Sequence, residues 1–173
     1  QNYCRRFNID NDKKIGELSE GMKVHYALAL ALSHHAGLLI LDEPTAGLDP
    51  AARDEILELF QELVEDGEKS ILFSTHITTD LEKCADFITF IEDGELIATD
   101  TKDAFVDSYK IVKGTREQLD KAPKERFIAY KTNEFGFSAL IPSGQAGAFT
   151  GLNIEAVDLE NIMIYYAKRG NRL

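Results

Sequence analysis

Hydrophobic residues fall in short blocks along this chain, and their spacing changes from helical to strand-like and back. After Leu18, Ser19 is a good N-cap. Ala27, Leu28, Ala29, Leu30, Ala31 and Leu32 make a helix apolar on most sides, predicted to be largely buried and to end in the His34-His35-Ala36-Gly37 stretch. Leu38 to Leu41 is an uninterrupted apolar run, the pattern of a strand covered on both faces in a parallel sheet. Asp49 then caps a helix whose first residue is Pro50, with Ile56, Leu57, Leu59, Phe60, Leu63 and Val64 on its buried stripe and Gly67 just past its end. A second buried strand, Ile71 to Phe73, stops at Ser74-Thr75-His76, and a short helix from about Thr79 to Cys84 separates it from Phe87 to Ile91. The Asp93-Gly94 pair between that segment and Glu95 to Ala98 predicts a tight hairpin. Strand, helix, strand and hairpin make an α/β layout: a mainly parallel sheet with an antiparallel edge.

Beyond residue 105 the pattern becomes strand (Tyr109 to Lys113) and helix (Thr115 to Lys121, opened by a Thr115/Gln118 capping box), then strands near Arg126 to Tyr130 and Phe137 to Ile141. A short segment around Gln145 to Phe149, a strand near Ile154 to Val157 and a helix from Leu159 to Lys168 follow. The order βαββαβα allows a ferredoxin-like unit. Charge changes at the same place. Residues 1–105 carry 9 basic and 22 acidic side chains, a net −13, whereas 106–173 carry 10 and 8, a net +2. A first domain over residues 1–105 and a small α+β domain over 106–173 are therefore expected. The overall net charge of −11 argues against a bulk electrostatic grip on nucleic acid. No apolar run approaches the ~20 residues a bilayer crossing needs. Cys4 and Cys84 have no CxxC or Cys/His cluster beside them, as expected for two ordinary reduced thiols in a cytoplasmic protein.

The sharpest chemical signal is Leu38-Leu39-Ile40-Leu41-Asp42-Glu43-Pro44. Open α/β sheets bind ligands beyond the carboxyl ends of their strands, so adjacent carboxylates there occupy the place of a phosphate and its metal. Side chains alternate along a strand, so Asp42 and Glu43 are expected to do different jobs. One carboxylate suits a hard Mg²⁺ ion, directly or through water, and the next suits positioning or deprotonating an attacking water. An acidic turn that merely closes a strand is the plainer alternative. Three further stretches weigh against it, each sitting where an element starts or ends: Leu18-Ser19-Glu20-Gly21-Met22, Ala46-Gly47-Leu48-Asp49 and Ser74-Thr75-His76. Ser19 at a helix start offers a hydroxyl, free N–H groups and the positive end of the dipole, and Gly21, lacking a Cβ, lets backbone come close to a phosphate. His76 ends a strand at the same sheet edge, where its imidazole can hydrogen-bond a terminal phosphate and help hold water. His34 and His35 have no third ligand nearby and read as solvated.

Together the four motifs resemble the C-terminal part of an ATP-binding-cassette (ABC) ATPase, a P-loop NTPase core. Leu18 to Met22 resembles the family's signature motif, Leu38 to Glu43 its Walker B strand, Ala46 to Asp49 its D-loop and His76 its switch histidine, and the likeness continues through the hairpin to about residue 100. The resemblance implies Glu43 as general base, Asp42 as Mg²⁺ ligand, His76 as γ-phosphate sensor, and Ser19 with Gly21 as a clamp on nucleotide held by the other protomer. Asp49 would be both helix cap and inter-protomer contact. Glu20 and Met22 stand where the commonest family form has Gly and Gln, so the Glu20 side chain should point away from the phosphate.

The same resemblance implies ATP and Mg²⁺ as substrate and cofactor. It also implies a second nucleotide-binding subunit, identical or different, transmembrane permease subunits as partners, and a place on the inner face of the cell membrane. Leu159 to Tyr166 resembles the C-terminal extension of exporter-type cassettes. A Walker A loop, G-x-x-x-x-G-K-[ST], is missing from the sequence; Gly67-Glu68-Lys69-Ser70 has an extra residue between Gly and Lys and begins a strand instead of following one. With the uncapped amphipathic opening from Gln1 to Phe7, this reads as a C-terminal fragment of a longer ATPase, expected to be inactive alone. Two rival functions are a soluble cassette ATPase acting on ribosomes or DNA, and a non-enzymatic module in which 106–173 binds a partner or small ligand.

Overall fold

The computed structural model describes residues 3–7, 9, 10 and 12–169; Gln1, Asn2, Asn8 and Asn11 of the expected opening piece and polar turn lie outside the described residues. The chain divides into two compact units, Gln1–Cys84 and Ala85–Leu173.

The first unit contains α1 (Tyr3–Arg6), α2 (Glu20–Ser33), β1 (Leu38–Asp42), α3 (Pro50–Val64), β2 (Ser70–Ser74) and α4 (Thr78–Cys84), with a 3-10 turn at Ile15–Glu17. α2 starts where Ser19 Oγ accepts the Met22 N–H at 3.3 Å and stops at His34, after which His35 takes a left-handed φ of 53°. α3 starts where the Asp49 carboxylate accepts from the Ala51 and Ala52 N–H groups. The α3 stripe of Ile56, Leu57, Leu59, Phe60 and Leu63 meets Leu28 and Leu32 of α2 and Leu39 of β1 in one core. β1 and β2 pair in parallel across the α3 crossover, with Leu39 opposite Ile71 and Asp42 opposite Ser74.

Two expectations change here. The strands are covered on one face only: Leu38 is 53% exposed, Ile40 72% and Leu72 58%. Likewise α2 buries a stripe, leaving Leu30 49% exposed. The reason is the same in both cases, for α2 and α3 form a single helical layer on one side of a two-stranded sheet.

The second unit opens with the hairpin of β3 (Phe87–Glu92) and β4 (Glu95–Thr101), which pairs within itself as a separate antiparallel sheet. Asp93 and Gly94 both have positive φ, 50° and 79°, as a two-residue primed turn requires. Thr101 then caps α5 (Lys102–Asp107), a helix at the place where the charge pattern puts a domain boundary. The hairpin belongs to this unit for a packing reason. Phe90 lies edge-on to Phe105 of α5 and, at 5.0 Å between centroids, to Tyr166, so the unit begins near Ala85 and not near residue 105.

Next come β5 (Tyr109–Gly114), α6 (Arg116–Lys121), β6 (Ala129–Thr132), β7 (Phe137–Pro142), β8 (Asn153–Glu155) and α7 (Leu159–Arg169). The capping box opening α6 is present, Thr115 and Gln118 bonding each other's backbone. β6 starts later than the sequence predicts because Lys124–Arg126 form a 3-10 turn after Pro123. The sheet runs β6-β7-β5-β8, antiparallel throughout, the connectivity of a split β-α-β unit whose second helix is reduced to a 3-10 segment, Ser143–Ala148. One face packs Val112, Phe137, Ala139 and Ile141 against Leu119, Phe127 and Phe149. α7 covers the other, with Tyr165 Oη donating to Ser138 Oγ at 2.8 Å.

Gly136, with φ 156°, brings the turn before β7 onto the end of β5, where an added Cβ would lie 2.1 Å from the Gly114 carbonyl oxygen. Gly136→Ala is therefore expected to cost at least about 2 kcal/mol. At Gly144 a Cβ meets nothing within 4 Å, so Gly144→Ala should stay within about 0.5 kcal/mol. Urea titration checks both as a shift in midpoint at constant slope.

Candidate active site

The register that sets Asp42 opposite Ser74 ends β1 and β2 level with each other, and their last side chains meet. Ser74 Oγ donates to Asp42 Oδ1 at 2.5 Å. Glu43 follows in a left-handed conformation, φ 44°, and its backbone N–H donates to Ser74 O at 3.1 Å and Ser74 Oγ at 3.2 Å. A glutamate rarely adopts this conformation, and such outliers persist only where the surroundings hold them. The turn brings Glu43 to the end of the neighbouring strand, where Glu43 Oε1 lies 2.9 Å from His76 Nδ1. Its other oxygen, Oε2, is buried without a hydrogen-bond partner among the described residues. The His76 ring is otherwise open, its side chain 74% exposed, and Asp42 is exposed.

Beneath this tip lies a buried polar tie that the sequence reading missed. Asp80 on α4 is fully buried, and its carboxylate accepts from Thr45 Oγ1, itself 1% exposed, and from Arg53 Nε of α3. Arg53 also donates to Thr79 Oγ1. One carboxylate thus holds the loop after Glu43, the first turns of α3 and the helix that follows His76. A signal was available: Arg53 is the one basic residue between Lys23 and Lys69.

The other predicted positions sit at helix starts. Ser19 and Asp49 each cap their own helix with the side chain. Gly21 faces α3, where an added Cβ would lie 3.3 Å from Ala52 Cβ; its missing side chain makes room for a neighbouring helix, a packing use distinct from the close phosphate approach expected of it. Glu20 turns to Lys23 Nζ at 2.7 Å. So Asp42, Glu43 and His76 come together at the strand tips, while Gly21 lies against the start of the helix that Asp49 caps.

Among the described residues no cluster of three or more His, Cys, Asp or Glu side chains is placed to hold a metal ion by itself. Asp42 offers an accessible carboxylate of the kind Mg²⁺ shares with phosphate oxygens and water. The unpartnered Glu43 Oε2 is a buried acceptor lacking a donor, and a water molecule between it and a phosphate would fit that need. The residues present therefore suit a Mg²⁺–phosphate group.

A family model described as "AAA domain, putative AbiEii toxin, Type IV TA system" matches residues 8–79. Nod factor export ATP-binding protein I of Burkholderia orbicola is 43% identical over 97 residues, covering 56% of this chain and 32% of that protein. A "Putative ABC transporter ATP-binding protein" of Mycoplasma pneumoniae is 32% identical over 180 residues, covering 99% of this chain, both units included, and 54% of its own length. Its homologues are ABC transporter ATP-binding proteins. The fold agrees: CbiO1 of Clostridium perfringens, described as part of the ABC transporter complex CbiONQ, superposes with a TM-score of 0.52 at 34% identity, over 60% of this chain and 43% of that one. The chain thus carries part of an ABC ATPase fold and spans between about a third and about half the length of the two relatives just described.

Because Asp80 leaves a cation and a hydroxyl unpaired when removed, Asp80→Ala is expected to destabilise the first unit by about 2–4 kcal/mol, and Thr45→Val by about 1 kcal/mol. Urea denaturation followed by circular dichroism measures both. A loss under about 0.5 kcal/mol for Asp80→Ala would mean that the tie contributes nothing.

Proposed function

We propose that this protein is part of a nucleotide-binding subunit that hydrolyses MgATP against a second such subunit and couples the reaction to transport through separate permease subunits, as in exporter-type cassettes. The observation that carries the reading is Glu43: a left-handed glutamate at a strand tip, one oxygen bonded to His76 and the other buried and unpartnered. A carboxylate so held is a fitting general base, because its free oxygen lacks only the proton donor that an attacking water supplies. Asp42, kept in place by Ser74, would hold Mg²⁺, whose charge offsets that of the phosphate oxygens in the transition state.

His76 orients the base through Nδ1. The rest of the ring, open to solvent, would meet the γ-phosphate as its sensor. Ser19 and Gly21 at the start of α2, with Glu20 turned away onto Lys23, would present N–H groups and a hydroxyl to nucleotide on the partner subunit. Asp49 would meet the partner across the same interface. Among the described residues no helix is long and apolar enough to cross a membrane, so attachment to one would come through the permease subunits.

In the full-length protein, Glu43→Gln should lower ATP turnover ~10²- to 10⁴-fold while nucleotide binding survives; turnover within about threefold of wild type removes Glu43 from the role. The 173-residue chain by itself should neither hydrolyse nor tightly bind ATP, since its sequence holds no Walker A loop. Calorimetry finding micromolar MgATP affinity for it would refute this. Co-purification with a multi-span membrane protein, and not with ribosomes or DNA, is the expected outcome for the coupling to transport.

A further inference from the structure

The second unit contains an open cavity of about 620 Å³ that the proposed ATP chemistry does not use. Its floor is the face of the four-stranded sheet covered elsewhere by α7. There the pairing register sets Lys131 opposite Ser138 and Ser138 opposite Lys113, one transverse row on one face. Asp158, Asn161 and Tyr165 close it from α7 and the segment leading into it, and Phe135 stands at its edge. The volume lies within the usual range for a small-ligand site, about 300–1,000 Å³.

The charges in this cavity are not equally engaged. Lys113 Nζ is bonded to Glu155 at 2.6 Å, and that bond holds the Glu155 carboxyl below its usual range. Asp158 accepts from the Asn161 backbone and side-chain amide at the first turn of α7. Lys131 has no ion-pair partner among the described residues; its ammonium stands 5.1 Å from the centroid of the Tyr165 ring. Burial pushes the Tyr165 phenol up, so it remains a donor at neutral pH, and its bond to Ser138 Oγ leaves the serine hydrogen without an acceptor among the described residues. One free cation and one unspent hydroxyl donor therefore adjoin.

They suit a single negative charge; a second would face Glu155 and Asp158. Phe135 is 85% exposed, held out by a turn in which Asn133 Oδ1 accepts from the Phe135 and Gly136 N–H groups, both at 2.9 Å. An exposed ring on a fixed turn at the edge of the cavity offers a stacking surface.

We propose that this cavity binds a small organic monoanion with a planar apolar ring, its carboxylate against Lys131 and Ser138 and its ring against Phe135. The site is independent of the nucleotide reading. It is tested by ¹H–¹⁵N NMR titration of the 173-residue chain with benzoate, salicylate and indole-3-acetate. At least one is expected to give saturable shifts centred on Lys131, Asn133, Phe135 and Ser138. Lys131→Met should weaken that binding by at least about tenfold, Phe135→Ala by at least about threefold, and uncharged benzyl alcohol should bind about tenfold more weakly than benzoate. Both variants alter exposed side chains, so an unchanged thermal melt is expected and keeps the affinities comparable. The proposal is overturned by the absence of saturable shifts with all three acids, by undiminished affinity in Lys131→Met, or by equally tight binding of inorganic phosphate. Concentration-dependent shifts of the same residues without any probe would also overturn it, since a second copy of the chain would then fill the cavity.

Discussion

Asp42 and Ser74 lie opposite each other at the ends of two parallel strands, and the cluster at that end of the sheet depends on their pairing. A slip of one residue would point every side chain on β2 to the opposite face, parting the Ser74 hydroxyl from Asp42 and moving His76 away from Glu43. The register is enforced from below, where Leu39, Leu41, Ile71 and Phe73 face the α2–α3 layer. Burial of that apolar face holds the strands in place, and the polar tip is carried along with them.

A second constraint acts on the loop beyond the tip. Glu43 occupies a conformation its side chain disfavours, and the chain must be held on both sides for it to stay there. Ser74 holds the Glu43 amide, while the fully buried Asp80 holds Thr45 two residues on. Asp80 also bonds Arg53 near the start of α3, so the helix that Asp49 caps and the segment carrying His76 share one anchor. A buried carboxylate with a single partner would be costly; two donors from separate segments, the Thr45 hydroxyl and the Arg53 guanidinium, make it a joint.

Among the described residues of the second unit no charged side chain is buried. Its framework is aromatic, Phe90, Phe105, Tyr109 and Tyr166 meeting edge-on, with the Tyr109 and Tyr166 hydroxyls 3.1 Å apart. That cluster draws the hairpin toward α7 in space although some 60 residues separate them in sequence, whereas net charge changes only after residue 105. Charge composition marks where the solvent-facing surface changes, and packing marks where a core begins, so the two borders need not coincide.

Local signals were enough for most elements. Ser19, Asp49 and Thr115 cap their helices because a short polar side chain accepts the free N–H groups of its own first turn, and Asp93-Gly94 turns a hairpin because both residues tolerate positive φ. These choices are made within a few residues and are readable from them, as is the placing of Asp42, Glu43 and His76 at strand ends. How many layers cover a sheet is not local, so Leu38, Ile40 and Leu72 read as buried though they face outward. Nor is the use of Gly21, set by a helix thirty residues away, or the union of Thr45, Arg53 and Asp80, whose separate polar side chains look like ordinary surface until α3 and α4 close over them. The sequence by itself determined which elements form and which chemical groups stand at their ends. Only the tertiary structure decided which of those groups share a bond, because that depends on distances between segments that no short-range pattern encodes.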